Sequence, residues 1–107
     1  MKPHRYHILL ALSRGALHGA EIRRRVQEDS DGAVVLYPAF LYGMLDELAG
    51  EEWIREVEPD DVEKTQVRWR FYALTPSGWR ALESETRRLE AVVGRARSAM
   101  ETVGDGA

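Results

Sequence analysis

His4, His7 and His18 are the side chains in this sequence best suited to binding a metal, and His4 and His7 stand one helical turn apart. A zinc centre needs four donors drawn from cysteine, histidine and carboxylate. The chain has no cysteine, and no acid accompanies the two histidines in the first stretch, so the ligand count falls short. Asp60 and Asp61 form an acidic pair, but they sit in a run of turn-forming residues, and the serines are scattered over turn positions. Catalysis needs a nucleophile or an acid–base pair converging in a pocket. No combination here has a spacing that demands chemistry, so neither an enzyme, a metal site nor a cofactor is expected.

Binding chemistry is better represented. Basic groups cluster in the triplet Arg23-Arg24-Arg25 and around Lys64, Arg68 and Arg70, while Tyr37, Phe40 and Tyr42 place three aromatic rings within six residues. Net charge is −3, which taken alone opposes a nucleic-acid partner. The distribution softens that objection: residues 1–29 carry a balance of +3, residues 30–66 of −8 and residues 67–107 of +2. Binding to DNA depends on local phosphate neutralisation rather than on the total. With few basic groups per chain, one subunit alone would bind modestly.

The 107 residues suffice for one domain with a modest core but no roomy enclosed active site. Apolar content of 44% and charged content of 31% are those of an ordinary soluble chain. The apolar run Ile8 to Leu12 is too short for a membrane span or signal segment. A cytoplasmic protein is expected, without a membrane partner.

The elements that must position the aromatic and basic groups can be read in order. Residues 4–13 form a first helix, apolar on most of its circumference through Tyr6, Ile8, Leu9, Leu10 and Leu12, and therefore buried from more than one side. Gly15 is placed to end it in a left-handed turn. A second helix runs from about Gly19 to Glu28 with Ile22 and Val26 as its buried pair, before the polar break Asp29 to Gly32. Val34 to Leu36 lead, as a turn or a stub of strand, into Tyr37 to Leu48. There Leu41, Met44, Leu45 and Leu48 mark one helical face, and Ala39, Tyr42, Gly43 and Asp46 a slim, nearly uncharged opposite face. Pro38 suits the first helical turn. A helix so divided can be held by a small core while entering a groove. Strands are expected at Trp53–Val57 and Val67–Leu74, joined by the charged turn 59–65, and two such strands must lie against the helices.

Thr75-Pro76 then signals the start of a last helix. Trp79, Leu82, Thr86, Leu89, Val93, Ala96, Met100 and Val103 follow at alternating spacings of three and four, a heptad seam with one polar member. At 1.5 Å per residue the helix would reach roughly 40 Å, more than the preceding body can cover. Its first two turns could fold back on their own domain; the rest needs a partner, and a second copy is the simplest one. Tyr6, Leu10, Trp79, Leu82, Thr86, Leu89, Val93, Ala96 and Met100 are the expected dimer interface. Apolar walls from Tyr6, Leu10, Trp79 and Leu89 mark an expected pocket for a small aromatic or hydrophobic effector. Trp53 and Trp69 are expected as core or cross-strand packing.

The element order is that of a winged helix-turn-helix with a long C-terminal dimerisation helix, mostly α with a small β-hairpin. Specific segments support it. Leu17-His18-Gly19-Ala20-Glu21-Ile22 resembles the LHGYEI segment of the PadR family of bacterial transcriptional repressors, and Leu36 to Tyr42 resembles its LSPGTLY. Leu48 to Ile54 is similar to LEEEGLI, and Arg70 to Gly78 to RYYRLTEEG. The likeness spans roughly residues 6–82 and is to the smaller subgroup with a single C-terminal helix. Tyr37 and Phe40 stand where the family has small hydroxylated residues, and Glu52 where it has glycine. Leu89 and Val93 occupy the neighbourhood in which some multidrug-sensing relatives carry a ligand-stacking tryptophan.

The resemblance implies a DNA-binding domain over residues 1–74, a dimerisation helix with a frayed tail over 75–107, and His18 leading into the second helix. It implies that Tyr37, Ala39, Phe40, Tyr42 and Gly43 meet base edges and backbone in a major groove. Lys64, Arg68 and Arg70 would bring the wing to the duplex, and Arg23 and Arg24 would meet phosphates beside the groove; for each arginine a solvated surface charge, or a partner for the acidic middle third, is the alternative. The expected function is a dimeric regulator on a near-palindromic double-stranded operator, a repressor relieved by an effector. The alternative is a dimeric winged-helix protein-interaction module that does not bind DNA specifically.

Overall fold

The computed structural model describes residues 1–58 and 70–106, with side chains to residue 103. The elements are α1 (Pro3–Leu12), β1 (Leu17–His18), α2 (Gly19–Asp29), α3 (Pro38–Gly50), β2 (Ile54–Val57), β3 (Phe71–Leu74) and α4 (Pro76–Gly106).

The apolar circumference of α1 has the consequence expected of it. Ile8, Leu9, Ala11 and Leu12 are all buried, and α2, α4 and β3 all pack against the helix. The helix stops on Ser13, whose hydroxyl donates to the Leu10 carbonyl at 2.6 Å, and Gly15 makes the reversal at φ +134°. Chain reversal delivers Leu17 and His18 to β3 as an antiparallel partner, with Leu17 opposite Tyr72 and His18 opposite Phe71. The sheet therefore has three strands in the order β1-β3-β2, one more than the hairpin read from the sequence. A two-residue strand shows no alternation, so no pattern announces it. The register of β2 on β3 pairs Ile54 with Leu74 and Val57 with Phe71.

His18 closes the N-terminus of α2, accepting at Nδ1 from the Glu21 N–H at 3.4 Å. Ile22 and Val26 of α2, and Leu41, Met44, Leu45 and Leu48 of α3, face inward into one core with Ile8, Leu9 and Leu12 of α1, and Ile54, Tyr72 and Leu82 complete it. Thr75 starts α4 as its residue type suggests: its hydroxyl accepts from the Gly78 N–H at 3.0 Å and itself donates to the Glu52 carbonyl. Glu52 occupies the left-handed region at φ +62°, a conformation in which a side chain is strained and glycine is not. Gly78 has a different reason to be glycine, because a Cβ there would lie 1.9 Å from the Trp53 carbonyl oxygen.

α4 spans 31 residues, about 46 Å at 1.5 Å each. Its first turns lie on α1 and β3, while every described side chain from Glu90 to Val103 is exposed. The helix projects from the body, and the molecule measures 64 × 26 × 24 Å. This is a winged helix-turn-helix with a long terminal helix.

Candidate nucleic-acid interface

α3 divides as its sequence directs. Leu41, Leu45 and Leu48 are fully buried, while Tyr37 is 70% exposed, Phe40 49% and Tyr42 48%, with Ala39 and Gly43 also exposed. The five residues read from the sequence as facing a groove thus share the accessible side and leading end of one helix. Two of the rings are not free to wander. Phe40 meets the His4 ring edge-on at 5.2 Å between centroids, tying α3 to the start of α1. Tyr42 leans on the first turn of α2, where a Cβ on Gly19 would lie 2.7 Å from the Tyr42 hydroxyl.

No side chain caps the leading end of α3: Tyr37 occupies the cap position without a side-chain hydrogen bond, and the first turn holds no acid. Serine there would stabilise the helix by about 1 kcal/mol. An uncapped helix N-terminus with unopposed positive dipole is suited to an anionic oxygen.

The basic residues are placed less uniformly. Arg23 turns inward, donating from Nε to the Leu36 carbonyl at 2.6 Å and so fastening the lead-in of α3 to α2. Arg24 pairs with Glu21 at 2.8 Å and Glu28 at 2.9 Å along its own helix. These hydrogen bonds raise its pKa and lower that of Glu21. Arg70, the residue before β3, is exposed and lies 3.6 Å from Glu56. Its pKa is raised by the hydrogen bond with Tyr72, then by the charge of Glu56. Lys64 and Arg68, along with the turn 59–65, Trp69 and the first residues of the second expected strand, lie outside the described residues.

Two features of this surface went unread in the sequence. His4 supports Phe40 across a separation of 36 residues, which no local pattern encodes. Val35, read only as part of a lead-in, is 41% exposed just before α3.

The seam of α4 splits into two parts. Leu82 is buried, Leu89 is half-buried, and Thr86 bonds to Tyr6 of α1, hydroxyl to hydroxyl at 2.7 Å. Farther out Val93, Ala96, Met100 and Val103 are exposed, as is Trp79 at the near end. Trp79, Leu82, Thr86 and the charged Arg80, Glu83, Arg87 and Glu90 line an open groove of about 520 Å³. Of the four residues read as effector walls, Trp79 lines this groove. Tyr6, Leu10 and Leu89 are half-buried, the first two against the core.

Residues 8–84 match the model of the Transcriptional regulator PadR-like family. The chain belongs to the PadR-like family. Its members are DNA-binding transcriptional regulators, not enzymes. Solved structures agree on the fold. A PadR family transcription regulator from Clostridium difficile is 17% identical with a TM-score of 0.76, covering 92% of this chain and 99% of that one. Bacillus subtilis PadR in complex with operator DNA is 26% identical with a TM-score of 0.68. That match covers 80% of this chain but 46% of the Bacillus chain, so this PadR-like protein spans under half of that relative's length. Bordetella bronchiseptica BpsR, whose DNA binding is regulated by 6-hydroxynicotinic acid, is 16% identical with a TM-score of 0.68, covering 89% and 64%. No curated protein sequence matches the chain. Among the described residues no helix is long and apolar enough to cross a membrane.

Proposed function

We propose that this PadR-like regulator acts in the cytoplasm as a homodimeric repressor, with residues 75–107 pairing two copies of the DNA-binding domain formed by residues 1–74. The observation that carries the dimer is the run of exposed apolar residues Val93, Met100 and Val103 on a helix that has left its own body. A solvated helix would not keep a heptad seam there, whereas a second copy buries it. Pairing sets the two α3 helices about one DNA turn apart on a near-palindromic operator. Tyr37, Ala39, Phe40, Tyr42 and Gly43 then enter the major groove, and Arg70, Lys64 and Arg68 approach the backbone from the wing. Arg24 reaches phosphate by exchanging its Glu21 and Glu28 partners. Arg23 acts through the lead-in of α3 that it holds.

Relief of repression follows from the same geometry. A small aromatic or hydrophobic effector lodged between Tyr6, Leu10, Trp79 and Leu89 and the second copy would alter the angle between the α4 helices. Only one separation of the α3 pair fits the operator, so a small rotation trades specific for non-specific binding. The exposed Trp79 beside an open groove supports this reading, as does ligand regulation in BpsR.

The exposed rings of Tyr37, Phe40 and Tyr42 on a helix whose charged side chains, Asp46 and Glu47, are both acidic favour a second reading, a dimeric protein-interaction module. Salt separates the two. A DNA reader making several phosphate contacts loses affinity on the order of tenfold or more between about 50 and 200 mM salt. An aromatic protein interface barely responds.

A further inference from the structure

We infer that α3 identifies its operator through the C5-methyl groups of pyrimidines, with Phe40 seating the methyl, so that thymine and 5-methylcytosine are equivalent to it. This rests on the reading of α3 as the groove helix.

α3 lacks the side chains that usually read bases by hydrogen bonds. Between Pro38 and Gly50 there is no Arg, Lys, Asn, Gln, Ser or Thr, the side chains that form paired or single hydrogen bonds to guanine and adenine edges. The polar side chains from Tyr37 to Gly50 are those of Tyr37, Tyr42, Asp46 and Glu47. Tyr42 turns its hydroxyl toward Gly19 of α2. Asp46 and Glu47 lie six and seven residues beyond Phe40, roughly 9–10 Å along the axis, and as carboxylates they repel the phosphates flanking a groove. Apart from the Tyr37 hydroxyl at the cap position, the leading end, which makes the base contacts in this class of motif, therefore offers carbon: Ala39, Phe40 and the open surface over Gly43.

The apolar feature that varies along the major-groove edge is the methyl on C5 of thymine. Cytosine methylated at C5 presents the same group. Phe40 is suited to seat it, being half exposed and already held edge-on by His4, so little ordering remains to be done on binding. Burying one methyl is worth about a fourfold change in affinity, and about fifteenfold when both half-sites of a palindrome are changed.

The test uses duplexes recovered by the full-length dimer from a random pool. Each thymine of the recovered site is replaced in turn by uracil, or with its partner by a cytosine–guanine or 5-methylcytosine–guanine pair. Methyl reading ranks thymine with 5-methylcytosine about fourfold above uracil and cytosine at one or more positions, and Phe40→Ala abolishes the difference while keeping the salt slope. A ranking of thymine with uracil above both cytosines indicates hydrogen-bond reading and overturns the inference, with DNA binding intact. Discrimination that survives in Phe40→Ala overturns the assignment to that residue; circular dichroism of the variant confirms that it is folded. A pool yielding no preferred duplex, with no salt-dependent binding, overturns the groove reading itself.

Discussion

The Tyr6 hydroxyl lies 2.7 Å from that of Thr86, so the polar member of the α4 seam is taken up by α1 of its own chain. Thr86 also donates to the Leu82 carbonyl at 2.8 Å, which leaves Tyr6 as the donor in the pair. The contact marks where α4 stops belonging to the body. Tyr6→Phe should lower stability by about 0.5–1.5 kcal/mol, the ordinary net worth of such a bond. Thr86→Val should cost a similar amount, and the double variant less than the sum. Urea unfolding at fixed protein concentration measures all three; additive losses would show that the two hydroxyls are not coupled.

Gly78 admits no side chain, because the Trp53 carbonyl occupies the place of its Cβ. Gly78→Ala must push α4 away from the β2 turn, with an expected loss of about 1–3 kcal/mol. Replacing the neighbouring Ser77 by alanine should change stability by less than about 0.5 kcal/mol. Equal melting temperatures for the two variants would contradict the close approach.

Glu52 is the opposite case, a side chain where glycine is easier. Glu52→Gly should stabilise by about 0.5–1 kcal/mol by removing the left-handed strain, net of the added flexibility of the unfolded chain. Glu52→Ala keeps the Cβ and should give no such gain. The Thr75 bond accepts on the Glu52 backbone, so both variants retain it. An equal gain with alanine and with glycine in chemical denaturation would place the effect in the side-chain charge instead.

Glu85 is buried at the junction of α1 and α4, bonded to Arg88 at 2.7 and 2.8 Å and 3.4 Å from the Met1 amine. The Arg88 hydrogen bonds hold its pKa at about 2, with the Arg88 and N-terminal charges adding and burial opposing. A depressed carboxylate contributes stability that is complete above its unfolded pKa near 4.5 and is lost as pH falls toward 2. Wild type should therefore melt above Glu85→Gln at pH 6, and the gap should close between pH 4.5 and 2. A gap that does not change over this window would contradict the ion pair's role.

Much of this architecture was legible because its determinants are local. The periodicity of Leu41, Met44, Leu45 and Leu48, the Thr75-Pro76 start and the heptad after Trp79 each encode an element within a few turns. Helix ends are less sharply encoded, α3 running to Gly50 beyond Leu48, its last periodic residue. Illegible were the features made by distant partners. β1 exists because β3 offers it an edge, and Arg23 turns to Leu36 because the α2–α3 connection passes beside it. Arginine in a basic triplet carries no mark of whether it will meet solvent, phosphate or its own backbone.

In the proposed dimer, paired α4 helices hold two α3 helices at one separation. The most direct measurement takes the best duplex recovered by the full-length protein and varies the spacing between its half-sites one base pair at a time. A paired reader predicts a sharp optimum near one helical turn between half-site centres, with affinity falling steeply when one or two base pairs are added or removed. Affinity indifferent to spacing, or equal for a single half-site, would contradict it.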